Sequence, residues 1–226
     1  MENKRIFSVL RSGGDFAVKH VQAMHRQLGK WAPGTPFVCL SDVEVPGVPC
    51  IPLKYDWPGW WAKMALFDPE IKGDILCTDL DNVILGPLDD ILSVTEYTTQ
   101  RGQSNALAYY PEAVRAAIWA EWIKDPAGHM ERFEQHKSAV RHRFGDGGYI
   151  ATFFTAKQCW EELFPGQVMN IVEKLEGHRA PTTGPWRARE WPLRIKDIPK
   201  DTRVFLCYQP WRPWLLPVFK LMKLYD

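Results

Sequence analysis

The feature that most constrains this chain is the run from Gly73 to Leu85, Gly-Asp-Ile-Leu-Cys-Thr-Asp-Leu-Asp-Asn-Val-Ile-Leu. Ile75, Leu76 and Cys77, bounded by Gly73 and by Gly86-Pro87, have the length and flanks of a buried strand. Side chains alternate along an extended segment, so Asp79 and Asp81 are expected to point one way and Leu80 back into the core. Two carboxylates at one strand tip repel unless a divalent cation or a shared proton offsets their charge. An open α/β sheet presents its ligand crevice at the carboxyl ends of its strands. The first reading of this stretch is therefore a metal site held by Asp79 and Asp81.

Composition bounds what surrounds it. With 226 residues, 46% of them hydrophobic, the chain can bury one substantial core, so a single domain is expected. The formal charge of +1 supplies no bulk attraction for nucleic acid. The five cysteines, at 39, 50, 77, 159 and 207, are odd in number and widely spaced, which suggests neither a disulfide framework nor a zinc knuckle. Residues 1–5 lack the apolar stretch of a signal peptide, and no segment approaches the roughly 20 apolar residues that span a bilayer. A cytoplasmic location without a transmembrane segment is the expectation. The apolar tail Leu215 to Tyr225 carries Lys220 and Lys223, and reads as a helix packed on the core, with a peripheral contact at the inner membrane face as the alternative.

The chain before the carboxylates alternates strands with ligand-facing loops. Arg5 to Leu10 reads as a strand, followed by Arg11-Ser12-Gly13-Gly14 and a helical pattern from Asp15, its expected N-cap, to Leu28, with Phe16, Val21, Met24 and Leu28 as the apolar stripe. The glycine pair lets backbone approach a ligand, and the helix start offers free N–H groups to an anion; an ordinary βα turn explains it as well. Strands at Pro36–Leu40 and Cys50–Leu53 end near Asp42 and Asp56, and Asp42 can serve a base, a ribose or a turn. Trp57-Pro58-Gly59-Trp60-Trp61-Ala62-Lys63 then sets aromatic surface and one cation before the carboxylate strand, with a helix from Ala62 to Phe67. Trp60 can stack on a sugar or base and Lys63 can reach a phosphate, while at least one of Trp60 and Trp61 belongs to the core.

Beyond the aspartates, a short helix at Leu88–Leu92 and strands at Glu96–Gln100 and Ala106–Tyr110 are expected, with Asn105 at the entry to the last. Its amide can read a sugar hydroxyl or form a turn. Pro111 is expected at the first position of a helix to Ile123, with Val114, Ile118 and Trp122 inward. After a break at Asp125 to Gly128, a polar helix through Phe144 carries His129, His136 and His142, whose spacings are not those of a helical zinc pair, so a solvated face is preferred. Phe144-Gly145-Asp146-Gly147 differs, because an acid between glycines at a helix entry can approach a substrate closely, which makes Asp146 the candidate second carboxylate. Lys157–Phe164 reads as a helix, Gly177 to Trp191 as an ordered loop or lid, and Arg203–Tyr208 as a late strand.

The ordered set Gly59-Trp60-Trp61-Ala62-Lys63, Phe67, Asp79-Leu80-Asp81, Asn105, Gly145-Asp146 and Arg212-Pro213-Trp214 resembles bacterial and phage-type glycosyltransferases of the GT-A fold, of the glycogenin and galactosyltransferase group with an Asp-x-Asp motif. The resemblance implies one α/β domain over residues 1–226 with a Rossmann-like, mixed, mostly parallel sheet flanked by helices. Residues 1–100 would form the nucleotide and metal half, and 101–226 the donor-sugar and acceptor half. It further implies a UDP- or GDP-linked sugar donor, Mn2+ or Mg2+ held by Asp79 and Asp81, and a nucleotide cradled by Arg11, Ser12 and Gly13 with Asp42. Trp60, Lys63, Asn105 and Asp146 would then face the donor, the acceptor being a carbohydrate, glycolipid or protein hydroxyl. In such relatives a histidine before the Arg-Pro-Trp segment supplies a third metal ligand, whereas Tyr208 and Gln209 stand here.

Chemistry independent of the resemblance agrees, since a divalent ion with a nearby cation stabilises a departing nucleoside diphosphate. On this reading Asp146 serves as general base if the reaction inverts the anomeric centre, and orients the sugar if it retains. Two rivals remain. The strand ending in Asp-Leu-Asp-Asn also resembles the signature of haloacid-dehalogenase-type phosphatases, with Asp79 as nucleophile and Mg2+ assisting, although that motif normally opens its domain and its later acidic pair is missing after Asp146. A carbohydrate-binding module without catalysis is the other.

Overall fold

The computed structural model describes residues 4–101, 105–134, 144–171, 198–207 and 212–225. Four parallel strands form one side of the main sheet: β1 (Lys4–Leu10), β2 (Phe37–Ser41), β3 (Cys50–Pro52) and β4 (Asp74–Thr78). Helix α1 (Val18–Trp31) crosses from β1 to β2, and a 3-10 helix (Gly59–Phe67) lies between β3 and β4. The chain continues through β5 (Val83–Ile84), α2 (Asp89–Ser93), β6 (Thr98–Thr99), β7 (Leu107–Tyr110), α3 (Glu112–Trp122), α4 (Pro126–Arg132) and α5 (Gly145–Phe153). It ends with β8 (Gln158–Cys159), α6 (Trp160–Leu163), β9 (Val168–Asn170), β10 (Val204–Leu206), a 3-10 turn (Pro213–Leu215) and α7 (Pro217–Leu221).

The main sheet runs β3-β2-β1-β4-β7-β6-β8, with β7 antiparallel to β4 and β6. A small sheet, β5-β10-β9, stands beside it. Alternation along the central strands builds two cores. Ile6, Leu10 and Leu76 face α1 residues Val21, Met24 and Leu28, while Phe7, Ile75 and Cys77 face Met64, Ile118, Trp122 and Tyr149. Strands covered on both faces are near-continuously apolar, as read in the sequence. The third cluster packs Val83 and Phe205 of the small sheet against Leu216 and Phe219 of the C-terminal segment.

This order fixes where a ligand can sit. From β1 the chain moves outward through β2 and β3, then returns to the other side of β1 at β4. The strand order therefore reverses between β1 and β4, and the crevice of such a sheet opens outside their carboxyl ends. Those ends are Arg11-Ser12-Gly13 and Asp79-Leu80-Asp81.

Local expectations need several corrections. Asp15 is not the cap of α1: the helix starts at Val18 with Ala17 at its N-cap, and Ala17 N–H donates to His20 Nδ1 at 3.0 Å. Pro111 is the N-cap of α3, not its first residue. Asp125 to Gly128 is the first turn of α4, because the Asp125 carboxylate accepts the Gly128 N–H at 2.9 Å. Helix α4 stops at Arg132. Lys157–Phe164 splits into strand and helix because Lys157 N–H, at its start, is taken by Tyr97 O, and β8 pairs with β6. The strand expected over Glu96–Gln100 shrinks to two residues, and β5 and β9 had no sequence signal of their own. His136 and His142 of the expected polar helix, the expected loop or lid from Gly177 to Trp191, and Tyr208 and Gln209 lie outside the described residues.

Candidate active site

Strand β4 ends at Thr78, and the carboxylates follow in a tight turn. Asn82 N–H donates to Asp79 O at 3.1 Å, so residues 79–82 form a reverse turn where continued strand alternation was expected. The turn is pinned from below. Asn82 Nδ2 donates to Thr78 Oγ1 at 2.9 Å and to Ala106 O at 2.6 Å, Asp79 N–H donates to the same carbonyl at 2.8 Å, and Ser8 Oγ donates to Thr78 O at 2.7 Å. Leu80 is buried on the α1 side of the sheet. One apolar anchor and one asparagine thus hold the turn, leaving both carboxylates to meet other charges.

Those charges are two cations. Lys63, on the 3-10 helix, sets its Nζ 2.7 Å from Asp79 and 3.6 Å from Asp146, the acid in the first turn of α5. Arg212 contacts Asp81, lies 2.9 Å from Asp15, and packs its guanidinium over the Phe16 ring at 4.6 Å. Burial raises Asp79 above the usual carboxylate range, with Lys63 opposing. Asp81 is pushed up to about 7 by burial and then by the Asp79 charge, with Arg212 and Lys63 opposing. For Lys63 burial disfavours the charge, yet Asp146 and Asp79 outweigh it and hold the amine above the ordinary lysine range. The ammonium is therefore permanent at neutral pH.

The donor set can be tested against a metal. Among the described residues, no three His, Cys, Asp or Glu side chains come together to hold an ion. Within the six-residue cluster, however, Asp15, Asp79, Asp81 and Asp146 outnumber Lys63 and Arg212. Two carboxylates at one turn, still burdened by mutual repulsion, suit a hard divalent cation whose other positions are filled by phosphate oxygens and water. Asp79 and Asp81 fit Mg2+ or Mn2+ on those terms.

Beside this cluster, the loops after β1, β2 and β3 are tied together. Asp42 accepts Ser12 N–H at 2.8 Å and Ser12 Oγ–H at 2.7 Å, and Arg11 Nη1 lies 3.4 Å from it while also contacting Asp56. Burial works against the Asp42 carboxylate, but the Ser12 bonds and Arg11 outweigh it and hold its pKa below the usual range. Gly13 adopts φ 87° with open space around its Cα. Asp42 is thus more than a turn residue, since it joins two loops at the rim of the crevice.

The tryptophans divide their roles. Trp61 is buried and stacks on Trp122 at 5.4 Å, whereas Trp60 is 43% exposed and lies beside Phe144. Gly145 is required there: its φ is +66°, and a Cβ would stand 2.9 Å from the Trp60 indole nitrogen. Asn105 is buried near Gly147, with its Oδ1 bonded to the Tyr110 hydroxyl. His129 stacks on Trp122 at 5.8 Å, a packing role. Arg212 and Asp15 are the site members to which sequence reasoning assigned no site role. Arg212 stood in a quoted motif, but nothing in a linear pattern joins it to Asp81 across 131 positions.

No protein-family model and no curated protein matches the chain. Solved structures do. Apo-form glycosyltransferase GlyE from Streptococcus pneumoniae TIGR4 superposes with a TM-score of 0.63 at 14% identity, covering 99% of this chain and 60% of GlyE. The galactosyltransferase LgtC, solved with donor and acceptor sugar analogs, superposes with a TM-score of 0.58 at 11% identity, covering 98% of this chain and 95% of LgtC. The fold is the GT-A fold of these glycosyltransferases. This chain spans about 60% of the length of GlyE. Among the described residues no helix is long and apolar enough to cross a membrane.

Proposed function

We propose that this chain is a glycosyltransferase, moving a sugar from a UDP- or GDP-linked donor to a hydroxyl of a carbohydrate, glycolipid or protein acceptor. The observation that carries the reading is the joining of Asp79, Asp81 and Asp146 to Lys63 and Arg212 at the switch point of a sheet with the GT-A fold. LgtC, which shares the fold, was solved with donor and acceptor sugar analogs.

In this reading the loop of Arg11, Ser12 and Gly13, braced by Asp42, holds the nucleotide. Asp79 and Asp81 would hold Mg2+ or Mn2+, which would supply positive charge for a diphosphate leaving group. Lys63 and Arg212 add fixed positive charge where that leaving group develops its own. Asn105 reads the sugar, and Trp60 covers it. Asp146, whose carboxylate lies 3.6 Å from Lys63 Nζ, accepts the acceptor-hydroxyl proton in an inverting reaction and orients the sugar in a retaining one; the anomeric configuration of the product decides between them. The solved structures named above are glycosyltransferases, and Asp79, the nucleophile of the phosphatase reading, is engaged by Lys63 at 2.7 Å.

The test is a thermal-shift screen of UDP, GDP and their sugars with and without Mn2+ or Mg2+. The transferase reading expects stabilisation only when metal and nucleotide are both present, and its loss in Asp81→Ala. Stabilisation by free glycan alone would support the binding-module reading. Phosphatase turnover lost in Asp79→Asn would support the other rival.

A further inference from the structure

Asn105 can present a donor to a sugar only if its amide is held one way round, since the two ends of the group are nearly isosteric. Its Oδ1 accepts the Tyr110 hydroxyl hydrogen at 2.8 Å. Its Nδ2 is buried and has no hydrogen-bond partner among the described residues. That nitrogen lies 3.6 Å from where a Cβ on Gly147 would stand, one residue past Asp146. The reversed amide would turn its oxygen toward the Asp146 end of the site and its NH2 toward Tyr110.

Tyr110 is well placed to impose the choice. It is 1% exposed, with the Phe67 ring edge-on at 5.1 Å and the Tyr97 ring stacked at 5.0 Å. The packing fixes where its hydroxyl stands, and burial first, then the neighbouring Tyr97, Cys77 and Asp146, hold its pKa well above the ordinary range, so the hydroxyl keeps its proton. A hydroxyl that also meets the Tyr97 hydroxyl and donates to Asn105 Oδ1 at 2.8 Å selects the oxygen end of the amide. The NH2 end is then left unpaired in a buried position, a costly arrangement that an accepting ligand atom would relieve.

We infer that Tyr110 is a positioning residue that orients Asn105, so that Asn105 Nδ2 donates to a hydroxyl of the donor sugar. The inference rests on the transferase reading and names the part of the ligand that this buried pair recognises: the sugar, not the nucleotide. Tyr110→Phe keeps the ring and removes only the hydroxyl.

The experiment titrates wild type, Tyr110→Phe, Asn105→Ala and the double variant with UDP against UDP-galactose and UDP-glucose, and with GDP against GDP-mannose, each with Mn2+. Wild type is expected to bind one sugar nucleotide more tightly than the bare nucleotide. Tyr110→Phe should lose at least fivefold of that increment while its nucleotide affinity stays within twofold. The double variant should be no worse than Asn105→Ala. If wild type discriminates and Tyr110→Phe discriminates equally, or loses nucleotide and sugar nucleotide alike, the inference falls and the transferase reading stands. If wild type binds none of these ligands, both fall.

Discussion

The two ends of β4 carry opposite kinds of polar structure. At its start, Asp74 accepts the Tyr109 hydroxyl at 2.6 Å and the Glu112 N–H at 2.9 Å, using both oxygens. Beside it, buried Arg115 of α3 donates to the carbonyls of Leu66, Ile71 and Gly73 at 3.0, 2.7 and 2.7 Å. At the far end, Asp79 and Asp81 are raised above the usual carboxylate range, and Asn105 Nδ2 and Asn82 Oδ1 lack partners among the described residues. One end spends its charged groups on protein, with Arg115 Nε alone of that group lacking a partner among the described residues; the other leaves charge, a donor and an acceptor that a ligand can complete. The difference separates residues that hold the strand from residues available for binding.

Substitutions at the two ends should therefore act in opposite directions. The largest stability effect belongs to Arg115→Ala, which strands three carbonyls and empties the space under the 3-10 helix. Denaturant unfolding should show a loss of about 3–4 kcal/mol, since hydrogen bonds to charged groups contribute about 1.5–3 kcal/mol each and are not additive. An unchanged midpoint would show that this end is not structural.

Asp81→Asn is expected to do the reverse, stabilising the unliganded protein at pH 7 by about 1 kcal/mol while abolishing metal-dependent nucleotide binding. The pH dependence follows in sign. Asp81 keeps its proton up to about 7 in the folded state and only to 3.8 in the unfolded chain, so the folded state binds more protons in between, and its stability contribution falls as pH rises through that window. Asp81→Asn should flatten the fall; a loss of stability in the variant would contradict the assignment.

His20 should give the smallest effect, and one of opposite slope. Buried and stacked on Trp214 at 3.8 Å, it is pushed down to about 4 by burial, then by Lys19 and Arg212. The unfolded chain binds its proton near 6.5, so stability should decline as pH falls from there toward 4. His20→Gln should remove that decline in thermal scans.

The sequence revealed one end of β4 better than the other. The apolar run, the acids after it and the glycines around Asp146 are local signals, and they named Asp79, Asp81, Lys63 and Asp146, which the fold brings together. Arg115 read as part of an ordinary helix, because its three acceptors lie more than 40 residues away, in the 3-10 helix and the loop that follows it. Arg212 was hidden for the same reason, its partners Asp15 and Asp81 being distant in the chain. Strands of two or three residues, such as β5 and β9, owe their existence to pairing with β10 and have too few residues to show a period.

The central claim is that the acids at the end of β4 form a ligand site completed by a divalent ion. It is tested most directly by calorimetric titration of the preferred nucleotide sugar, with and without Mn2+, into wild type and an Asp79→Asn, Asp81→Asn double variant that remains folded. The account predicts tight binding only for wild type with Mn2+. Undiminished binding by the double variant, or binding indifferent to the ion, would contradict it.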